Sequence, residues 1–397
     1  MVKPRYAIPS SNMIHVSAEQ RFSLYYAVLF GSVGASLPFA ALWMSHAGIT
    51  PAMIGIIVAL PSVAMLATTI SIGRWADKLI DRRSAIITGN WLILAAHLVL
   101  FLSTGELFVL LVWLVAGVAL AAKLPITDAA ALSLARQRGS DYARVRMFGS
   151  IGFVLMLTLA GYAYEHLGIG VFVAGLFIAN VLRLLAAYAL PRKLRSVRPE
   201  SQADDGAEAL TGSLYIPGIL FTLLAGALIN ASHAMVYTYG ILLWTQQGLS
   251  ESLASLAIGI GVVVEVALMW WFKSLTRNVS ARACLLIAAT FGLVRWWVLA
   301  SEPSWLMVFG AQALHGVSFG VTFLACAGFI ARRVPEKDAA RGQGLLATLS
   351  TACMAMATFV CGQFYDVLGS ALYWMMGGLC LLAVGCVAMS YRYGFVE

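Results

Sequence analysis

The sequence predicts an all-α polytopic membrane protein, with twelve transmembrane helices in two six-helix bundles related by a pseudo-two-fold axis. Three observations predict it. Of 397 residues, 61% are hydrophobic and 11% charged, with a mean hydropathy of +0.86. A soluble domain carries about 25% charged residues. Apolar runs of about 20 residues recur, which is the length a bilayer core requires. Lys and Arg gather in alternate loops between those runs. Lipid offers the backbone no hydrogen-bond partners, so spanning segments are helices or closed barrels. These runs are too long and too continuously apolar for barrel strands.

The expected spans are 22–45, 51–72, 84–103, 107–131, 147–164, 169–190, 214–244, 252–272, 283–300, 305–331, 344–365 and 371–391. No short apolar segment with a small-residue cleavage site precedes the first, which should remain as a membrane helix. Thr50 is placed to cap the second span, and Pro51 suits its first turn. Arg74, Lys78, Arg82 and Arg83 come after it. Arg136, Arg138 and Arg144 separate the fourth span from the fifth. The polar stretch 191–212 holds Arg192, Lys193, Arg195 and Arg198. It reads as a cytoplasmic linker between an N-terminal bundle, 1–190, and a C-terminal bundle, 213–397. Ser250 is placed to cap the eighth span, and Lys273, Arg277 and Arg282 come after that span. Arg332, Arg333, Lys337 and Arg341 come after the tenth. The opposite loops, near 46–50, 104–106, 165–168, 245–251, 301–304 and 366–370, hold no Lys or Arg. The positive-inside rule then puts both termini in the cytoplasm, in the inner membrane of a bacterium.

A weak internal repeat supports two halves. Gly48-Ile49-Thr50 returns as Gly248-Leu249-Ser250, and GYAYEHLG at 161–168 returns as GQFYDVLG at 362–369. Both spacings are close to 200 residues. Parallel six-helix halves with a solute site between them are a recurring transporter design. The net charge of +8 tracks the loops, so it is a topology signal and no nucleic-acid partner is expected. Cys284, Cys326, Cys353, Cys361, Cys380 and Cys386 lack CxxC or His-rich spacing and read as reduced packing residues. No Walker loop, nucleophile elbow or metal-ligand spacing is present. Neither an enzyme nor a cofactor or metal is expected. The expected partners are a small-molecule solute, protons and the lipid bilayer, with the protein a monomer.

The loop after the second span reads Gly73-Arg74-Trp75-Ala76-Asp77-Lys78-Leu79-Ile80-Asp81-Arg82-Arg83. It resembles the loop motif of the major facilitator superfamily, with Ile80 and Asp81 departing from the family's Gly-Arg. The resemblance implies a gating role for Gly73, Asp77, Lys78 and Arg82. Leu37-Pro38-Phe39, Ser232-His233-Ala234, Leu314-His315 with Phe319, and Asp141-Tyr142 with Val145-Arg146 and Gly149-Ser150 resemble the phenylpropionate permease group. Arg144 to Gly149 is similar to the start of the fifth helix in lactose permease-type oligosaccharide:proton symporters. Asp128 and Arg146 then fall where that family binds its sugar. Glu265, Arg295 and His315 fall on the eighth, ninth and tenth helices, which carry its proton-coupling Glu, Arg and His. Where the family has an acid three positions after its His, this chain has Ser318. The resemblance implies a proton-coupled importer of a small organic solute.

The buried charges point the same way. A charge at the bilayer centre costs about 2.5–3.5 kcal/mol on insertion scales, so such residues need a partner or a task. Lys123, Asp128, Glu265, Arg295 and His315 stand in apolar spans. Asp128 and Arg146 are placed to pair between adjacent helices. Lys123 either binds an anionic solute or neutralises Asp128. Glu265 reads as the proton carrier, with a buried salt bridge to Arg295 as the structural alternative. His, with an ordinary pKa of about 6.5, suits the same task. Asn230, His233 and Tyr237 lie one turn apart on the seventh span, Gln312 one turn before His315, and Tyr26, Phe30 and Trp43 on the first. Together they suggest an aromatic-walled solute pocket. The fifth span lacks the Gly-Pro motif of drug exporters, which favours uptake. Aromatic or other organic acids, nucleosides, sugars and siderophore-like solutes stay open. Proton antiport and a non-transporting sensor are the rival readings.

Overall fold

The structure is a computed structural model, and it describes residues 17–77, 81–191, 216–276 and 279–393. The expected linker at 191–212 lies, beyond Pro191, outside the described residues, as does Lys78. The N-terminal half contains α1 (Ala18–His46), α2 (Pro51–Asp77), α3 (Arg82–Phe101), α4 (Glu106–Arg138), α5 (Tyr142–Leu167) and α6 (Ile169–Tyr188). The C-terminal half contains α7 (Pro217–Gln246), α8 (Glu251–Leu275), α9 (Ala281–Ala300), α10 (Trp305–Arg333), α11 (Ala339–Leu368) and α12 (Leu372–Arg392). Eleven stretches among the described residues are long and apolar enough to cross a membrane. The last of them, Ala339–Arg392, is two helices meeting at Gly369. Twelve spans therefore stand as expected.

The ends differ from the expected ones for a physical reason. Hydropathy marks the apolar window, whereas capping groups mark where a helix stops. α4 runs on to Arg138 because its C-cap, Gly139, takes the left-handed conformation with φ of 66°. α5 starts at Tyr142 because the Asp141 carboxylate accepts from Ala143 N at 2.8 Å. Asp81, the departure from the loop motif, has a similar task. Its carboxylate accepts from Arg83 N at 3.0 Å and starts α3.

Three spans are broken near mid-height. Pro38, which has no N–H to donate, sits in a 3-10 turn, Leu37–Phe39, that interrupts α1. α7 is interrupted at Ser232 and His233. α10 contains a π turn, Gly316–Val321. Small residues let helices approach closely. A Cβ on Gly31 of α1 would meet Gly152 O of α5 at 3.2 Å, and one on Gly316 of α10 would meet Glu265 N of α8 at 2.9 Å.

The halves seal against each other at the end that carries the loops without Lys or Arg. Tyr239 Oη donates to Pro51 O at 2.8 Å, Gln363 Nε2 to Ala52 O at 3.3 Å, and Ser252 N to a Glu165 carboxylate oxygen at 3.2 Å. One apolar core runs through this end, joining Phe39, Trp43 and Phe172 to Tyr239, Trp244 and Tyr365. At the other end, basic side chains tie helix ends together. Arg83 donates to the carbonyls of Tyr188 and Leu190 at the end of α6, at 2.7 and 2.9 Å. Arg82 donates to Ala129 O of α4 at 3.1 Å.

Candidate functional site

A cavity of about 390 Å³ lies between the halves. Phe30, Leu37, Pro38, Arg146, Ser150 and Phe153 line it from the N-terminal half, and Tyr237, Glu265, Arg295, Gln312, His315 and Phe319 from the other. The volume lies within the range of about 300–1,000 Å³ found for small-molecule sites, and its walls are apolar with a few convergent polar groups. The breaks in α1 and α10 place Leu37, Pro38 and Phe319 directly on the cavity.

The polar groups of the C-terminal half form one chain. Arg295 Nη2 donates to Gln312 Oε1 at 2.7 Å, and Arg295 Nη1 lies 3.3 Å from His315 Nδ1 and 3.4 Å from Ser318 Oγ. The opposite ring nitrogen, His315 Nε2, lies 3.3 Å from a Glu265 carboxylate oxygen. A guanidinium only donates, so Nδ1 accepts and Nε2 carries the hydrogen that faces Glu265. His315 is thereby held as one neutral tautomer. Glu265 does not pair with Arg295 directly, so the salt bridge that the sequence offered as the structural alternative does not form: His315 stands between them. His233 sits behind this chain. Its Nδ1 donates to Ile229 O at 3.0 Å, so its Nε2 accepts from Ser318 Oγ at 3.1 Å.

In the N-terminal half, Asp128 and Arg146 do pair, with Nε to Oδ1 at 3.8 Å. Tyr26 Oη donates to the same carboxylate oxygen at 2.6 Å. The guanidinium carbon of Arg146 lies 4.0 Å from the centre of the Phe30 ring, a cation–π contact. Arg146 lines the cavity and Asp128 stands behind it.

Other expected residues lie elsewhere. Lys123 reaches neither the cavity nor Asp128. Only 2% exposed, it donates to Asn90 Oδ1 at 2.6 Å, because its position five residues before Asp128 turns it towards α3. His233 is fully buried against Trp296, His315 and Phe319 and does not line the cavity. Tyr237 does line it, and 36% of its surface is free. Asn230 faces a separate pocket of about 50 Å³. Trp43 stacks on Trp113 and Phe172 in the core, with centroids at 5.8 and 5.1 Å. Gly73 and Asp77 lie in α2, and their side chains are outside the described residues. The bridging role of Ser318 was not expected from the sequence; its signal was its place one turn after His315. Among the described residues, no group of His, Cys, Asp and Glu is placed to hold a metal ion.

Known proteins share this architecture. The MFS_1 like family matches residues 20–376. The chain is 27% identical to a probable 3-phenylpropionic acid transporter of Escherichia coli (strain K12), over 91% of this chain and 95% of that protein. It is 26% identical to a maltose permease of Geobacillus stearothermophilus, over 80% of this chain and 79% of that protein. Among solved structures it resembles the nucleoside transporter NupG, with a TM-score of 0.79, 14% identity, and 95% and 100% of the two chains covered. It also resembles a D-xylose-proton symporter, with a TM-score of 0.70, 10% identity, and 94% and 97% covered.

Proposed function

The chain belongs to the MFS_1 like family, whose matching relatives are transporters and not enzymes, and on that premise we propose a proton-coupled symporter that imports a small aromatic or other organic acid. The observation that carries this reading is the Glu265–His315–Arg295 chain on the wall of the central cavity. A carboxylate there meets an incoming anion as a like charge. Two unit charges about 4 Å apart repel by about 4 kcal/mol at an effective dielectric of 20. A proton on Glu265 removes that repulsion, and the anion then faces Arg146 and Arg295. Proton and anion thus bind each other's preferred state, which is the linkage symport requires. The aromatic walls formed by Phe30, Phe153, Tyr237 and Phe319 suit a ring. A 27% identical relative is named for 3-phenylpropionic acid.

Residues 1–190 and 213–397 act as the two moving units, with 191–212 as their cytoplasmic linker. With the basic loops in the cytoplasm of a bacterial inner membrane, the sealed end is periplasmic. Solute and proton enter when that end opens and leave inside when it closes. Tyr237 and Gln312 contact the solute beside Arg146, Asp128 positions Arg146, and His233 and Ser318 hold Arg295 and His315 in place.

The test is uptake into proteoliposomes under an imposed pH gradient, with 3-phenylpropionate, maltose and uridine as solutes. Accumulation of the acid above its equilibrium level, only with the interior alkaline, supports the reading. Gradient-independent equilibration refutes proton coupling. Accumulation of maltose, the second reading that the 26% identical relative favours, refutes the solute class.

A further inference from the structure

A second cavity lies in the N-terminal bundle, lined by side chains of α1, α3, α4 and α6. Its volume is about 120 Å³, and Ser32, Ser36, His97, Trp113, Asn180 and Arg183 contribute to its lining. Arg183 is only 3% exposed. Its Nη1 donates to Ser32 Oγ at 3.0 Å and its Nη2 to Asn180 Oδ1, whereas its Nε has no partner among the described residues. Among the described residues no carboxylate lies within 4 Å of Arg183.

Arg183 is a buried guanidinium whose hydrogen-bond partners among the described residues, Ser32 and Asn180, are neutral. Desolvating an ion costs several kcal/mol, and a nearby counter-charge is what offsets it. The cavity beside Arg183 also presents Ser32, Ser36, His97 and Asn180 among apolar side chains, and its volume admits a small ion together with a few waters.

We propose that this cavity binds a small monovalent anion of halide size, held by Arg183, as the missing counter-charge of the N-terminal bundle. Leu37, in the break of α1, lines both this cavity and the central one. An occupied site therefore buttresses the wall of the solute cavity. The ion is distinct from the transported solute, and the site does not depend on what that solute is.

The purified full-length protein is melted in detergent with sodium gluconate, and chloride or bromide then replaces gluconate at constant ionic strength. The expected result is a saturable rise in melting midpoint of about 2–4 °C with chloride and with bromide. Arg183→Gln should lose the response. Ser36→Val, which narrows the cavity and leaves Arg183 in place, should shift the midpoint concentration for bromide upward by tenfold or more. A wild-type protein that melts identically in all three salts overturns the proposal. So does an Arg183→Gln protein that keeps the wild-type response. If Arg183→Gln does not fold, the Ser36→Val comparison decides, and an unchanged bromide midpoint there overturns the site.

Discussion

Glu265 and His315 face each other at 3.3 Å across helices that Gly316 allows to touch. The ring that donates to Glu265 accepts from Arg295 on its other side. A proton added to His315 would leave two N–H groups opposed at Arg295, and one added to Glu265 removes the charge that holds the ring. Glu265→Gln keeps the shape and loses the proton site. We expect pH-driven accumulation to fall to background while solute exchange across equal pH stays within about threefold of wild type. Unaltered accumulation in proteoliposomes would remove Glu265 from the coupling.

Arg295 joins Gln312, His315 and Ser318 with one rigid fork. Lys keeps the charge but offers a single point, and hydrogen bonds to charged groups are worth about 1.5–3 kcal/mol each. Arg295→Lys is therefore expected to lower uptake at least tenfold and the melting midpoint by several degrees. Wild-type uptake and melting would show that charge alone suffices.

Arg146 lines the cavity and Asp128 orients it from behind. The pair is about one-third exposed on each side, so its own stabilising contribution is at most about 1 kcal/mol. Arg146→Gln should raise KM by tenfold or more. Asp128→Asn should raise it less, by about threefold, with melting unchanged in both. An Asp128→Asn effect larger than that of Arg146→Gln would make Asp128 the solute contact.

In the proposed cycle the sealed end opens once per turnover. In a background without the native cysteines, Ala52→Cys and Gln363→Cys joined by a short cleavable cross-linker should abolish uptake, and cleavage should restore it. Full uptake in the cross-linked protein would show that this end stays shut throughout.

Much of this was legible in the sequence. Apolar windows located twelve spans because desolvation of the backbone leaves no alternative to helix in lipid. Glu265, Arg295 and His315 were legible as a cluster because charges in apolar spans need partners. Who partners whom was not legible. A period of 3.6 residues places His315 one turn before Phe319, and their rings do stack with centroids at 5.2 Å, but the π turn at Gly316–Val321 changes the rotation of the residues beyond it. Lys123 shows the same limit from the other side. Its neighbour in sequence, Asp128, is not its neighbour in space, and its Nζ donates to Asn90 Oδ1 of α3 instead. Ser318, read as a departure from a family pattern, carries the link from Arg295 to His233.

Among the hydrogen bonds described at the sealed end, those at Pro51 and Ala52 accept on main-chain oxygens. Their donors, Tyr239 Oη of α7 and Gln363 Nε2 of α11, are side chains, so the acceptor half of each bond comes with the shape of α2 while the donor half rests on two replaceable residues. Neither donor lines the central cavity. A substitution at either would loosen this end and leave the cavity walls as they are.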